Sequence, residues 1–394
     1  MRQDYFEFSN NVKIIAGEHS LEKLPGLLMR MGGYRIFIVS DEVLKSVGHV
    51  DAVKKVLKTA EQIAVGGEYL NIPSTFTTDD LDKLYIAYRK TGADAIVGIG
   101  GTRVMNAAKA LALLISTKTK DIREFNGIDA ATRVQQVPFC LIPTTFGAGN
   151  EVSRTAVIID DEKQSAIEIS SGALQPSFAI LYPEFLKTLP EKELYMSLID
   201  GLAYGVESYI SARANVLTKS FSKMAMFLMK DNFQKATMDH DINALNNLQR
   251  AASIVAITYS NTYTGIVHAL ANSLAAKYHM HRAEAICCVI DPALRNMEDV
   301  CRNRYAEMLL FYRGTKEYST ITDNERSEIF LKALDSIITN LAQAHKVEVK
   351  LSSYGVKDED LAEIAEQTLH DGDMIASPKN FTKEDIIEIL RQAL

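Results

Sequence analysis

The feature that most constrains the fold is an alternation of short apolar runs with amphipathic segments, which is confined to the first half of the chain. The apolar runs are "YRIFIVSD" (34–41), "DAIVGIGG" (94–101) and "VPFCLIPTT" (137–145). Between them lie segments such as "TTDDLDKLYIAYRKTG" (77–92), with apolar residues at helical spacing and a terminal glycine. Strands that alternate with helices predict a mostly parallel sheet with helices on both faces.

After "LYPEFLKTLPEKE" (181–193) the pattern changes to long helical periodicities. Residues 194–212, 217–233 and 244–276 repeat apolar side chains at helical spacing. Thr382 and Asp385 form a capping-box pair at the start of "TKEDIIEILRQAL", which predicts the last helix. Because 394 residues are too many for one core, we predict an α/β domain over residues 1–187 and an all-α domain over residues 188–394.

Composition and charge exclude several classes of protein. Hydrophobic residues make up 47% of the chain and charged residues 24%, which is typical of a soluble globular protein. The net charge of −7 argues against a general nucleic-acid-binding protein. No apolar run has the length of a membrane span, and "MRQDYFEFSNN" at the N-terminus lacks the apolar core of a signal peptide. We therefore expect a cytoplasmic protein that acts on a small molecule.

Two loops that follow predicted strands have the composition of nucleotide-binding turns. "GIGGTRVMNAAKA" (98–110) joins a strand to a helix through glycines, which let backbone N–H groups approach a phosphate. "PTTFGAGNEVS" (143–153) is a second turn of small and hydroxylated residues. Either loop alone is as easily a tight turn without a ligand, but the pair predicts a nucleotide crevice at the ends of neighbouring parallel strands. The candidate cofactor-binding residues are Gly100, Gly101, Thr102, Asn106, Thr144, Thr145, Gly147 and Gly149.

Asp41 lies at the end of the first clear strand. An acidic side chain there suits the hydroxyls of an adenosine ribose and repels a phosphate on it, which favours NAD over NADP. Capping of the following helix is an equally good interpretation of the same position.

The helical half contains a candidate metal site. Residues 198–211, "LIDGLAYGVESYIS", place four polar side chains on one helix face: Asp200, Tyr204, Glu207 and Ser211. An aspartate one turn before a second ligand is a common start of a metal site, although that ligand is usually histidine. The segment 265–285 adds three clustered histidines, which are His268, His279 and His281. A histidine in an apolar helix is often only a core residue, so the residues leave both interpretations open.

Together these motifs resemble those of the iron-containing (group III) alcohol dehydrogenases over nearly the whole chain. The family pattern has a G-G-G-S-x-x-D-x-A-K turn, a P-T-T-x-G-T-G-S-E loop, a D-A-x-x-H-x-x-E helix, and a V-H-x-x-x-H segment that leads to P-H-G. Here the segments read "GGTRVMNAAK", "PTTFGAGNE", "DGLAYGVE", "VHALAN" and "MHR". The resemblance implies a Rossmann-like dinucleotide-binding domain joined to an all-α domain, NAD(P) as cofactor, and assembly as a homodimer.

The resemblance also implies a divalent metal, iron or zinc, held by one aspartate and three histidines. The aspartate corresponds to Asp200, and two of the histidines correspond to His268 and His281. The remaining histidine is replaced by Tyr204, which could act as a phenolate ligand, donate a hydrogen bond to the substrate oxygen, or simply fill the site. A further histidine, often given a proton-relay role, is replaced by Asn272. We take Tyr204, Asn272 and His279 as candidate catalytic residues.

Further departures from the family pattern fall on functional positions. Arg103 replaces the serine of the glycine turn, Asn106 its aspartate, and Arg282 the glycine after the third histidine. Because arginine suits bidentate pairing with an anion, Arg103 and Arg282 suggest an anionic substrate such as a sugar acid or hydroxy acid. Alternatively, the arginines pair with Glu151 or Glu284 or contact the cofactor pyrophosphate.

The sequence thus predicts an NAD(P)-dependent, metal-assisted oxidoreductase that interconverts an alcohol and a carbonyl. Loss of a metal histidine, the relay histidine and the aspartate of the glycine turn leaves one alternative. In that alternative the chain is a catalytically impaired nucleotide-binding relic with a regulatory or assembly role.

Overall fold

The computed structural model describes residues 5–131, 137–163 and 165–394. These residues form two compact units, which are taken one at a time below. The α/β unit comprises Ser9–Pro190 and Lys235–Ile257, and the helical unit comprises the N-terminal segment up to Phe8, Glu191–Gln234 and Thr258–Leu394.

The strands, in chain order, are β1 (Lys13–Ala16), β2 (Arg35–Val39), β3 (Ala64–Tyr69), β4 (Ala95–Gly100), β5 (Gly127–Ile128), β6 (Phe139–Pro143), β7 (Thr155–Asp160), β8 (Ser165–Ser170) and β9 (Phe178–Leu181). The α-helices are α1 (Leu24–Arg30), α2 (Glu42–Ser46), α3 (His49–Leu57), α4 (Thr78–Thr91), α5 (Thr102–Thr117), α6 (Glu191–Ile210), α7 (Val216–Met238), α8 (Ile242–Thr262), α9 (Ile266–Tyr278), α10 (Arg282–Asn296), α11 (Glu298–Tyr318), α12 (Arg326–Ala344), α13 (Leu361–Leu369) and α14 (Lys383–Ala393).

The α/β unit is built on a parallel sheet with the strand order β1-β9-β6-β4-β2-β3. The central strands β4 and β6 are buried along their whole length, as expected for a sheet covered on both faces. From β2 the chain first moves outward to β3 and then returns to place β4 on the other side of β2. The strand order therefore reverses between β2 and β4, which makes the carboxyl ends of these two strands a topological switch point.

The predicted parallel sheet with flanking helices is confirmed, but one part of this unit was missed. Strands β7 and β8 form an antiparallel pair, which β5 joins in parallel to make a small second sheet. These strands alternate buried and more exposed residues, as in β7, where Ala156 and Ile158 are buried, and such alternation is not revealed by a search for continuous apolar runs.

The helical unit contains α6, most of α7, the end of α8 and the helices from α9 to α14, and it confirms the helical character predicted for the C-terminal half. The helix predicted over residues 244–276 is wrong in one respect, since the chain forms two helices there, α8 and α9. Tyr263 adopts a left-handed conformation with φ 58° and Gly265 starts the next helix, so the apolar periodicity continues across a real break. The predicted capping box of Thr382 and Asp385 begins α14.

No helix among the described residues is long and apolar enough to cross a membrane. Cys140, Cys287, Cys288 and Cys301 are all buried and unbridged.

Candidate active site

The carboxyl ends of β2 and β4 are joined by side-chain contacts at the switch point. Ser40 follows β2, and its Oγ donates a hydrogen bond to the carbonyl oxygen of Ile99 at 2.8 Å. Asp41 caps α2, because its Oδ1 accepts a hydrogen bond from the backbone N–H of Leu44 at 2.9 Å. The capping interpretation of Asp41 is therefore confirmed. Ribose binding stays a prediction. The Oδ2 atom of Asp41 has no partner among the described residues, so it is the oxygen that would accept a hydrogen bond from a ribose hydroxyl.

The glycine turn after β4 ends at the N-terminus of α5. Gly101 is the N-cap residue, and since it has no side chain, no side-chain acceptor satisfies the first N–H groups of α5. Gly101 is half-buried, and a Cβ built there would lie 3.4 Å from Cγ2 of Thr145 in the neighbouring loop. The two predicted loops are thus adjacent, and the free N–H groups suit a phosphate.

The second loop is held by the first through a buried lysine that sequence reasoning did not single out. Lys109 is fully buried on α5, and its Nζ donates to Asn150 Oδ1, to both Oγ and the carbonyl oxygen of Ser153, and to the Thr155 carbonyl oxygen, at 2.7–3.0 Å. Burial lowers the pKa of Lys109 well below its usual value, although Glu151 opposes that shift. The lysine of the family motif was visible in the sequence, but its acceptors lie on a distant loop.

Asn106, a predicted cofactor residue, is engaged within the protein. Its Nδ2 donates to the carbonyl oxygen of Val157 at 3.1 Å, and its Oδ1 accepts from Asn150 Nδ2 at 2.7 Å. This amide therefore ties α5 to the second loop, and it has a structural explanation that needs no cofactor.

The glycine at position 149 is also explained by packing within the protein. Its φ is 59°, and a Cβ at this position would lie 2.1 Å from the carbonyl oxygen of Ala252 on α8. Only glycine allows this loop to pack against the helix backbone. The backbone N–H of Thr144 donates to the Gly100 carbonyl oxygen at 3.2 Å, and Thr145 is half-buried whereas Gly147 is buried.

In the helical unit, Glu207 positions His268. The carboxylate of Glu207 accepts hydrogen bonds from the backbone N–H groups of Val267 and His268 at the start of α9. It also bonds the His268 Nδ1 at 2.5 Å. The Nε2 of His268 is buried without a partner among the described residues and lies 4.0 Å from Asp200 Oδ1. Glu207 was on the predicted helix face, but its role as a positioning residue was not predicted.

Arg282 binds Asp200. The Nε of Arg282 donates to Asp200 Oδ1 at 3.1 Å, and its Nη2 donates to Oδ2 at 2.6 Å, so that the guanidinium occupies both carboxylate oxygens. Burial lowers the pKa of Arg282, but the charge of Asp200 outweighs this and holds it above its usual value.

The carboxylates proposed as alternative partners for the arginines are engaged elsewhere. Glu284 pairs with Lys192 at 3.0 Å, and buried Glu151 accepts a hydrogen bond from Ser253 at 2.5 Å. The Nη1 of Arg103 donates to the carbonyl oxygen of Pro73 at 2.8 Å. Arg103 and Arg282 thus each have a partner that the sequence did not identify.

Tyr204 lies in a stack of rings beside the arginine. Its ring centroid is 3.9 Å from that of His268 and 4.3 Å from that of Tyr259, and the Cζ of Arg282 lies 5.4 Å from the Tyr204 ring. Burial raises the pKa of Tyr204 well above its usual value, although Arg282 opposes the shift. This shift disfavours the phenolate in the absence of a metal, and both a hydrogen bond to the substrate oxygen and the filling of the site stay predictions.

The other two predicted histidines, His279 and His281, do not belong to the cluster of Asp200, Tyr204 and His268. His281 is exposed and is the N-cap residue of α10, where its Nδ1 accepts a hydrogen bond from the Ala283 backbone N–H at 3.2 Å. His279 is exposed and ends α9 with a left-handed φ of 54°. Among the described residues, no group of three or more His, Cys, Asp or Glu side chains is arranged to hold a metal.

Asn272 contacts two aspartates that sequence reasoning missed. Its Nδ2 donates to Asp371 Oδ2 at 3.2 Å and to Asp373 Oδ2 at 3.3 Å. Burial raises the pKa of both carboxyl groups, and Asp371 adds to the shift of Asp373. Because an amide does not titrate, Asn272 cannot relay a proton as a histidine would. The two aspartates follow α13 in a 3₁₀ turn, 99 and 101 residues away in sequence, which explains why no local motif revealed them.

Comparison with known proteins agrees with this layout. The family profile for iron-containing alcohol dehydrogenase matches residues 11–183, and the profile for the C-terminal region of the Fe-containing alcohol dehydrogenase family matches residues 195–394. The chain belongs to this family. Members of the iron-containing alcohol dehydrogenase family are oxidoreductases, so the predicted family and enzyme class are confirmed.

Individual relatives are distant. Alcohol dehydrogenase 4 of Saccharomyces cerevisiae is 25% identical over 383 residues, 96% of this chain and 95% of its own length. Aldehyde-alcohol dehydrogenase 2 of Entamoeba histolytica is 27% identical over 345 residues, and the match covers 83% of this chain but 39% of that protein. The solved structure of sulfoacetaldehyde reductase from Bifidobacterium kashiwanohense in complex with NAD+ shares the fold, with a TM-score of 0.84, 19% identity and 98% coverage of both chains.

The metal implied by the family does not fit the side chains of this chain. Of the ligand positions carried over from the family, Asp200 pairs with Arg282, Tyr204 lies in a ring stack, and His281 caps α10. Of these four side chains, only His268 has a buried nitrogen, Nε2, without a partner among the described residues. Since a catalytic metal site needs about three protein ligands, the predicted set of Asp200, Tyr204, His268 and His281 is not supported.

Proposed function

We propose that this member of the family is an NAD-dependent oxidoreductase that interconverts an alcohol and a carbonyl compound. The observation that carries the proposal is the pair of adjacent loops at the switch point, where the N-terminus of α5 has no side-chain cap. This arrangement is the general dinucleotide site of parallel sheets. The complex of the fold neighbour with NAD+ is consistent with it.

The residues of the α/β unit would hold the cofactor through backbone groups. The N–H groups that follow Gly101 would bind the pyrophosphate, and the Thr145 loop lies beside them. Asp41 Oδ2 would accept from the ribose hydroxyls, which favours NAD over NADP. When bound, NAD(H) exchanges a hydride with the substrate carbon.

An anionic substrate is the finer part of the proposal, and it now depends mainly on Arg103. The charge of Arg282 is balanced by Asp200, whereas exposed Arg103 bonds, among the described residues, a neutral carbonyl oxygen through Nη1. The test compares butanal with 4-oxobutanoate, which have the same chain length but differ in one carboxylate. A higher kcat/KM for 4-oxobutanoate in the wild type, lost in Arg103→Gln, supports the anionic substrate; equal values for the two aldehydes refute it.

The oxidoreductase proposal itself is tested with purified protein, NADH and a panel of aldehydes and keto acids. We expect stoichiometric NADH binding, a preference for NADH over NADPH, and turnover on at least one carbonyl. NADH binding without turnover, also after addition of iron or zinc, would instead support the relic with a regulatory or assembly role. Absence of NADH binding would contradict both.

A further inference from the structure

The guanidinium of Arg282 binds the carboxylate that the family resemblance assigns to a metal. Asp200 is the aspartate ligand of the family pattern, and both of its oxygens accept hydrogen bonds from Arg282, at 3.1 and 2.6 Å. The pair is enclosed, since 13% of the Asp200 side-chain surface and 26% of the Arg282 side-chain surface remain exposed. We propose that the Arg282 guanidinium replaces the divalent metal as the partner of Asp200, so that this oxidoreductase works without a metal at this site. The proposal rests on the function proposed above.

The other potential metal ligands do not compensate for the pairing of Asp200 with Arg282. A metal that bound His268 Nε2 would find Asp200 Oδ1 at 4.0 Å from that nitrogen, but already bonded to a positive charge. To bind Asp200, the metal would have to displace Arg282 and leave its guanidinium without a partner in a partly buried place, which is strongly unfavourable. One imidazole alone holds a divalent cation weakly.

Tyr204 and Arg282 act as a pair. Histidine at position 204 would present a metal-binding nitrogen, whereas tyrosine presents a ring face to the guanidinium, with Cζ 5.4 Å from the ring centroid. The same ring stacks on His268 at 3.9 Å, between the arginine and the histidine. One substitution introduces the cation and the other packs beside it. Reversal of both is therefore needed to rebuild the family site.

The first test measures metal binding and needs no turnover. Chelator-treated wild type, Tyr204→His, Arg282→Gly and the double variant Tyr204→His/Arg282→Gly are titrated with Zn2+ against a chromogenic chelator. We expect the wild type to show no stoichiometric Zn2+ site. The double variant should bind one Zn2+, with a Kd at least about a hundredfold lower than that of any residual Zn2+ binding by the wild type. Misfolding cannot imitate this gain, and circular dichroism checks each variant.

Either of two results overturns the proposal. One is stoichiometric Zn2+ binding by the wild type as tight as by the double variant. The other is failure of a correctly folded double variant to bind Zn2+, because Tyr204 and Arg282 would then not be what excludes the metal.

The second test concerns turnover. In the wild type, chelator should leave kcat/KM unchanged, because Arg282 and not a metal is the partner of Asp200. Wild-type activity that requires added metal refutes the proposal, whereas a wild type without turnover on any substrate refutes the proposed function instead.

Discussion

The polar groups at the strand ends and those around Asp200 differ in whether they can still bind their predicted ligand after family side chains have been replaced. At the strand ends, Arg103 and Asn106 replace family side chains, yet the glycine turn and the uncapped helix N-terminus remain. Around Asp200, Arg282 forms an ion pair with the carboxylate that the family resemblance assigns to the metal. The difference follows from the kind of contact, because backbone N–H groups bind a phosphate whichever side chains surround them, whereas a metal requires particular side-chain donors.

The largest effect is expected from a glycine that the α/β unit needs for packing. Gly149→Ala would place a Cβ 2.1 Å from the Ala252 carbonyl oxygen at a residue with φ 59°. We expect the free energy of unfolding to fall by about 4 kcal/mol, measured by chemical denaturation. Gly101→Ala is the control, because its Cβ would make an ordinary contact at 3.4 Å. That variant should keep its stability within about 0.5 kcal/mol and weaken NADH binding instead. Equal loss of stability in both variants would contradict this separation.

The next effect concerns the lysine that links the two loops. Lys109→Met removes four hydrogen bonds from a fully buried Nζ and leaves buried acceptors on Asn150, Ser153 and Thr155 without that donor. We expect a loss of about 3 kcal/mol in the free energy of unfolding, together with weaker NADH binding because the loop loosens. Unchanged stability would mean that the network contributes nothing net. Lys90→Met, at an exposed position on α4, serves as the control.

In the helical unit, replacement of a partly buried carboxyl group should raise the free energy of unfolding. Burial raises the pKa of Asp373 in the folded state, so the folded chain retains protons that the unfolded chain has already released. Stability therefore falls as pH rises from the unfolded pKa through the folded one. We expect Asp373→Asn to stabilise the protein by about 1 kcal/mol at neutral pH, and the difference from wild type to disappear as the pH is lowered. A stabilisation that persists at acidic pH would rule out titration as its cause.

Much of the fold was predictable because the decisive signals are local. The runs 34–41, 94–101 and 137–145 enclose β2, β4 and β6, and the terminal glycine of 77–92 caps α4 at Gly92 with φ 63°. The break between α8 and α9 was missed because the apolar spacing continues across it.

The candidate site was only partly predictable, since its decisive contacts are distant in sequence. Arg282 was singled out from the family pattern, but its partner Asp200 lies 82 residues away. The sequence alone therefore left Asp200 as a metal ligand and Arg282 as an anion-binding residue, although the two side chains neutralise each other. Asp371 and Asp373 were missed for the same reason, because only the fold brings them to Asn272.

The most direct measurement of the contrast between the polar groups at the strand ends and those around Asp200 is a pair of titrations on one chelator-treated sample of the wild type. NADH is added first, followed by Zn2+, with binding followed by calorimetry. We predict stoichiometric binding of NADH and no stoichiometric binding of Zn2+, because the strand-end loops are intact and Arg282 holds Asp200. Stoichiometric Zn2+ binding, or NADH binding that depends on Zn2+, would contradict the account.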